Sequence, residues 1–231
     1  MKALILAAGV GNRLGHDKPK ALVQIVGCEL ICHQLDFLRH PAITEIGVVG
    51  GFRFDALAAR VGPARLFENK SYRQGNILTL QAALPFLDET FLLMNVDHIY
   101  PNKMLDHILK QVRGITTACD FDRPLVEDDM KIKKNAQGRL IAIDKKLDNY
   151  DGGYIGMTVV PREQLPAYLS AFEKTLAVQG PKASVEMILA ELASTGKPVA
   201  IADTSGIRWL EIDTPEDLKK AETRLRQGPL D

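Results

Sequence analysis

The stretch Lys2-Ala3-Leu4-Ile5-Leu6-Ala7-Ala8-Gly9-Val10-Gly11-Asn12-Arg13-Leu14-Gly15-His16-Asp17-Lys18-Pro19-Lys20 decides the fold. Residues 2–7, in a stretch that is purely apolar from Ala3 to Ala8 and bounded by Gly9, show the pattern of a strand buried on both faces. A loop follows, with glycines at 9, 11 and 15 and cations at Arg13, Lys18 and Lys20. Glycines let backbone N–H groups approach bound phosphates closely. Open α/β sheets bind ligands beyond the carboxyl ends of their strands. Arg13 and Lys20 therefore stand where triphosphate charge would need neutralising, with Lys18 the more solvated of the lysine pair. The loop is not a P-loop, because Gly-x-x-x-x-Gly-Lys-Ser/Thr is absent. It is not a dinucleotide fingerprint either, since Leu14 stands where the third glycine belongs. A structural turn with surface lysines is the plain alternative, but the grouping of cations at the first strand end favours phosphate chemistry.

Outward from this stretch, apolar runs alternate with helical spacings. Residues 43–49, 91–96 and 115–120 read as further buried strands, with a shorter one at 65–67. Residues 29–38, 55–61, 77–87 and 104–111 carry helix patterns. This alternation predicts an α/β fold with a mostly parallel central sheet flanked by helices. The pattern changes after residue 120. Extended runs at 130–133, 140–144 and 154–160, separated by turns, predict a smaller additional sheet. Helices are expected at 163–176 and 185–193, and strands at 199–202 and 208–212. The segment Thr214-Pro215-Glu216-Asp217 carries the signature of a capped helix start. The tail after Arg224 is expected to fray.

The 231 residues suit one domain, with 1–120 mainly on the nucleotide side, 121–206 mainly on the acceptor side, and 207–225 a returning strand and final helix. At 46% hydrophobic and 25% charged the chain is expected to be globular, not disordered. Lys plus Arg and Asp plus Glu are equal at 29 each, so no global field favours nucleic acid or an anionic membrane. No apolar run is long enough to span a bilayer, so stable membrane insertion is not expected. Three cysteines, Cys28, Cys32 and Cys119, are too few for a disulfide scaffold and fit a reducing, cytoplasmic setting. A homodimer stays open.

Two acids at strand ends complete the chemistry-bearing set. Asp97 follows the central apolar run, and Asp213 precedes the capped helix. If they meet, they form a hard oxygen site suited to Mg²⁺. Glu211 alternates with Asp213 and could face the same side. The matching chemistry is in-line attack of an acceptor phosphate on the α-phosphorus of a nucleoside triphosphate, with Arg13 and Lys20 stabilising the departing pyrophosphate.

With the loop, Lys18-Pro19-Lys20, Asp97 and Ile212-Asp213-Thr214-Pro215-Glu216-Asp217 in view, the chain resembles the nucleotidyltransferase superfamily, which includes the sugar-phosphate nucleotidylyltransferases. The resemblance spans nearly the whole length and implies a Rossmann-like fold of the GT-A type, with a small additional sheet on the acceptor side. Asn95-Val96-Asp97-His98-Ile99-Tyr100 resembles CTP:inositol-1-phosphate cytidylyltransferases. Trp209-Leu210-Glu211-Ile212-Asp213-Thr214 is more similar to CTP:phosphocholine cytidylyltransferases. Both imply transfer of CMP from CTP to a small phosphorylated alcohol. Transfer to 2-aminoethylphosphonate, or uridylyl or thymidylyl transfer to a sugar 1-phosphate, stay as alternatives.

The resemblance further implies that Leu6, Ala7, Gly9, Gly11 and Asn12 lie along the nucleotide and that Gly75 and Asn76 close over the base. It implies Asp97 and Asp213 as Mg²⁺ ligands. Lys131, with Lys133 as runner-up, would hold the acceptor phosphate, and Asp151, Gly153 and Glu186 would line the acceptor pocket. His98 could bond an acceptor hydroxyl or serve a local cap. Trp209 sits in an apolar run and reads as packing rather than a stacking platform. Two other classes share parts of this pattern. A GT-A glycosyltransferase would carry Asp-x-Asp where this chain has Asn95-x-Asp97, and a non-catalytic nucleotide-binding module would not need Arg13, Lys20, Asp97 and Asp213 together.

Overall fold

A computed structural model describes residues 1–15 and 18–230. Strand β1 (Lys2–Leu6) leads through the glycine loop to the short strands β2 (Gln24–Ile25) and β3 (Cys28–Glu29), then to α1 (Leu30–Phe37). Next come β4 (Glu45–Gly50), α2 (Phe54–Ala58), β5 (Arg65–Glu68), α3 (Ile77–Gln81), β6 (Phe91–Asn95), β7 (His98–Ile99), α4 (Lys103–Leu109) and β8 (Thr116–Asp120). The second half holds β9 (Lys131–Lys134), β10 (Leu140–Asp144), β11 (Gly152–Val160), α5 (Leu165–Gln179), α6 (Glu186–Ser194), β12 (Ala200–Asp203), β13 (Leu210–Glu211) and α7 (Pro215–Leu225).

Nine strands form the central sheet. Strands β5, β4, β1 and β6 are parallel neighbours in that order. Strand β11 pairs antiparallel with β6 and, on its other edge, with β8, which carries β12 in parallel. Only β10 and β11 run against the common direction, which makes the sheet mostly parallel as expected.

The antiparallel addition grows from the amino-terminal tip of β11. There Gly152 and Gly153 pair with Ile132 and Lys131 of β9, and β10 closes the hairpin. This tip overhangs the carboxyl end of β6, because β6 pairs only with Met157–Val160 of the same β11 edge. The smaller sheet is thus continuous with the main one and projects over its ligand-binding edge. A bulge between Tyr154 and Thr158 makes the turn possible, with Gly156 at φ 76. A side chain there would meet the His98 ring at 2.8 Å.

Burial explains why β1 reads as a continuous apolar run. Leu4 and Leu6 face a core shared with α3, α5 and α6, while Ala3 and Ile5 face a second core shared with α1, α2 and α4. A strand covered on both sides has no polar face to show. The expected helix at 77–87 breaks after Gln81 into a 3-10 turn at Leu84–Phe86, because Pro85 cannot donate a helical hydrogen bond. Among the described residues the tail does not fray. Leu230 is 5% exposed in a third core around α7, and Arg224 donates to the carbonyls of Gly228 and Pro229. The three cysteines are free thiols, with Cys119 buried and Cys28 and Cys32 half-buried. No helix among the described residues is long and apolar enough to cross a membrane.

Candidate active site

The glycine loop is bent so that Lys20 returns over the end of β1. Gly11 has φ 73, a conformation that disfavours any side chain, and a Cβ there would come within 3.2 Å of the Lys20 Cβ. The Lys20 amide donates to the Gly9 carbonyl at 3.2 Å and closes the loop. Gly9 has open space where a side chain would stand.

The two acids are brought to the same place by a ladder of two residues per strand. Glu211 pairs with His98 and Leu210 with Ile99. The Ile212 amide then donates to the Asp97 carbonyl at 2.9 Å, which sets Asp213 beside Asp97 across 116 residues of sequence. Asp213 is steadied by the start of α7. Thr214 and Asp217 form the expected reciprocal capping box, Pro215 occupies the first turn, and the Asp217 carboxylate also accepts from the Asp213 amide at 3.3 Å.

Lys20 lies between the two acids. Its ammonium is 2.6 Å from Asp97 Oδ2 and also bonds Asp213 Oδ1. Arg13 donates to Asp213 Oδ2 at 2.8 Å and pairs with Asp128 on the 121–130 loop. Burial works to raise the Asp97 pKa, but the neighbouring Lys20 and the hydrogen bond from His98 hold it well below the usual carboxylate range. Burial likewise disfavours a charged Lys20, yet the two carboxylates outweigh it and raise its pKa. The Asp128 carboxyl is held down by Lys145 and Arg13.

A column of rings forms the next wall. His98 stacks on Tyr100 on one face and on Trp209 on the other, with centroids 5.6 and 5.3 Å apart. Arg123 lies over the Trp209 ring at 4.5 Å, and the Trp209 indole N–H donates to Asp120 at 2.8 Å. His98 Nδ1 is 2.8 Å from Asp97, and its Nε2 faces Glu211 at 3.8 Å. Burial, together with the charges of Asp97 and Asp213, pushes the Glu211 carboxyl up, against His98 and Arg123.

These groups open on a cavity of about 670 Å³. Leu6, Gly9, Arg13, Lys20, Asn76 and Asp97 line it at the glycine-loop end, joined by Asp213, Glu211 and His98. Gly153 and Glu186 line it as well, with Ile143, Asp144 and Lys145 of the β9–β10 region. Ala7, Gly11, Asn12 and Gly75 are next to lining residues but are not part of the lining themselves. The Gly75 amide donates to the Pro181 carbonyl, while the Asn76 side chain accepts from the Val185 amide. Lys131 does not reach the cavity in this structure. It is 7% exposed, with its ammonium on the carbonyls of Glu127, Asp129 and Lys145. Asp151 is turned to Lys133 and to the Lys134 amide, which leaves both Asp151 and Lys133 outside the lining.

Arg123, Asp128 and Lys145, which no motif in the sequence singles out, all line the cavity, and Trp209, expected only to pack, also lines its wall. The density of charge between Asp120 and Asp129, in a stretch without periodicity, was the available signal.

The donor set fits a small hard cation. Asp97 and Asp213 already share one cationic atom, Lys20 Nζ. Among the described residues no group of three or more His, Cys, Asp or Glu could hold a metal. Two carboxylates are what Mg²⁺ takes from a protein when phosphates and water complete its octahedron.

A parallel sheet with a basic glycine loop, and with two carboxylates clasping a lysine at its carboxyl edge, is the arrangement of a nucleotidyltransferase. The chain belongs to the MobA-like NTP transferase domain family, whose model matches residues 3–129. It is 31% identical over 228 residues to a bifunctional IPC transferase and DIPP synthase of Rubrobacter xylanophilus, covering 95% of this chain and 51% of that protein. The chain spans about half the length of the first curated relatives it matches. Among solved structures, the inositol-1-phosphate CTP transferase from T. maritima superposes with a TM-score of 0.82 at 22% identity, over 99% of this chain and 97% of that one. The CTP:phosphocholine cytidylyltransferase from Streptococcus pneumoniae gives 0.72 at 23% identity, over 97% and 98%. Both structural likenesses share the fold.

Proposed function

We propose that the chain transfers CMP from CTP to the phosphate of a small phosphorylated polyol, inositol 1-phosphate being the leading acceptor, with release of pyrophosphate. The observation that carries this reading is the Lys20–Asp97–Asp213 cluster beneath the glycine loop, at one end of a cavity roomy enough for two substrates. Cytidylyl transfer, and inositol 1-phosphate in particular, are supported by the names of the relatives.

In this reading the triphosphate lies along Gly9, Gly11 and Asn12, and the base lies by Leu6, Ala7, Gly75 and Asn76. An oxygen of the acceptor phosphate attacks the α-phosphorus. The bond from that phosphorus to the α,β-bridging oxygen breaks, and pyrophosphate leaves with the electron pair. The attacking oxygen is already anionic, so no strong general base is needed. Lys20 and Arg13 move from carboxylates to phosphate oxygens and stabilise the charge that gathers on the leaving group. Mg²⁺ held by Asp97 and Asp213 would supply further neutralisation of the phosphates when bound. Glu186 and Gly153 meet the distal part of the acceptor, with Lys131 and Asp151 fixing the hairpin above it.

Phosphocholine is the second reading, because a buried carboxylate such as Glu186 serves an ammonium as well as a hydroxyl. The wall argues against it. Quaternary ammonium groups favour open aromatic faces, and Trp209 has Arg123 over its ring and His98 stacked on it. The test is a pyrophosphate-release screen with Mg²⁺, crossing CTP, UTP, GTP, ATP and dTTP against inositol 1-phosphate, phosphocholine, 2-aminoethylphosphonate and glucose 1-phosphate. Release with CTP and inositol 1-phosphate alone is the expected result. A hit only with UTP or dTTP and glucose 1-phosphate would overturn both base and acceptor.

A further inference from the structure

We infer that Gln34 is a positioning residue for Asp97, acting through the backbone on either side of it. The inference rests on the reading of Asp97 as a metal-holding residue. Gln34 lies on α1, is not among the cavity-lining residues, and is 1% exposed. Its amide nitrogen donates to two carbonyls, that of Val96 at 3.5 Å and that of His98. These are the residues immediately before and after Asp97. The Val96 carbonyl lies in the turn after β6 and the His98 carbonyl at the start of β7, and buried carbonyls there need a donor.

The rest of the strand end is fixed from other directions. The Val96 amide donates to Leu6 at 3.3 Å, and the Asp97 carbonyl accepts from Ile212 at 2.9 Å. Gln34 supplies the remaining side of this frame. On the α1 side, where Ile31 and Phe37 pack in the same core as Val96, Gln34 is the hydrogen-bond donor to the carbonyls that flank Asp97.

A second observation separates positioning from simple packing. The Gln34 amide oxygen is buried and has no hydrogen-bond partner among the described residues. An interior side chain selected for packing alone would not carry an unpaired oxygen, since an orphaned buried acceptor is destabilising. The nitrogen is the atom the site uses. Loss of outer partners of metal-holding groups typically costs about 10- to 100-fold in metal affinity or activity.

The test is Mn²⁺ binding followed by electron paramagnetic resonance in the presence of CTP, without acceptor, on the wild type and on Gln34→Met. Methionine keeps the length and volume and removes the donor. The expected result is an affinity about 10- to 100-fold weaker in a variant with native circular dichroism. Thermal unfolding is recorded alongside it. Wild-type Mn²⁺ affinity in folded Gln34→Met would overturn the inference, whatever its melting temperature. If Gln34→Met does not fold, Gln34→Asn replaces it. Asparagine leaves the amide one methylene short of both carbonyls, so the same loss is expected and unchanged affinity is again fatal. A wild type that binds Mn²⁺ with CTP but releases no pyrophosphate would defeat the proposed reaction and leave the role of Gln34 decided by the variants. A wild type that binds no Mn²⁺ would remove the basis of both.

Discussion

Lys20 Nζ lies 2.6 Å from Asp97 Oδ2 while also bonding Asp213, so the lysine occupies the place between the two acids. One ammonium there pairs with both carboxylates and offsets one of their two negative charges, and a divalent ion must compete with it. Lys20→Met is therefore expected to bind Mn²⁺ in the absence of nucleotide about tenfold more tightly than the wild type. The same variant is expected to turn over about 10²-fold more slowly, because a group that stabilises the departing charge is gone. Paramagnetic titration and pyrophosphate release measure the two effects. Unchanged turnover in a folded variant would remove Lys20 from the chemistry.

Acid stability follows from Asp97. Its carboxyl is held below the ordinary value of 3.8, against burial, by Lys20 and by the bond from His98. In the unfolded chain it takes a proton near pH 4, whereas in the folded chain it does not. The stability it contributes is thus fully present above pH 4 and is lost as pH falls toward the depressed folded pKa. Urea melts below pH 4 should show the wild type losing stability faster than Asp97→Asn, by at most about 1.4 kcal/mol per pH unit for one proton. Parallel slopes for the two proteins would contradict the electrostatic account.

Gly75 is expected to tolerate no side chain. A Cβ there would sit 2.0 Å from the Ala183 carbonyl oxygen and 2.5 Å from the Lys182 carbonyl carbon, both rigid backbone. Gly75→Ala must push the 181–185 segment away, which also strains the bond between Asn76 and the Val185 amide. Overpacking of this kind costs about 1–3 kcal/mol. A drop of several degrees in melting temperature, with a raised KM for the nucleotide, is the expected outcome. A variant that melts like the wild type would show that the segment yields freely.

Glu186 is free to meet a ligand. It is 6% exposed, lines the cavity, and no hydrogen bond or ion pair among the described residues holds its carboxylate, whose oxygens keep solvent access. With no partner to lose, Glu186→Gln should melt close to the wild type. It should raise the KM for the acceptor about tenfold, as expected for one lost charged hydrogen bond, and leave the KM for CTP unchanged. A shift in the KM for CTP instead would assign Glu186 to the nucleotide.

The sequence by itself determined the parts whose causes are local. A strand buried on both faces must be apolar throughout, so residues 2–7 and 91–96 announced the sheet. A turn at φ 73 selects glycine, so Gly11 marked the loop. A helix start needs its own cap, so Thr214, Pro215 and Asp217 marked α7. The tertiary structure decided what depends on contact between distant segments. Two residue pairs in the β7–β13 ladder bring Asp97 to Asp213, and a ladder that short carries no pattern in sequence. The choice of Lys131 to face three backbone carbonyls rather than the cavity, the seating of Arg123 on Trp209, and the reach of Gln34 around Asp97 have the same origin. Each depends on which way a side chain points once the strands are ordered, and strand order is fixed by long-range pairing, not by the residues on either side.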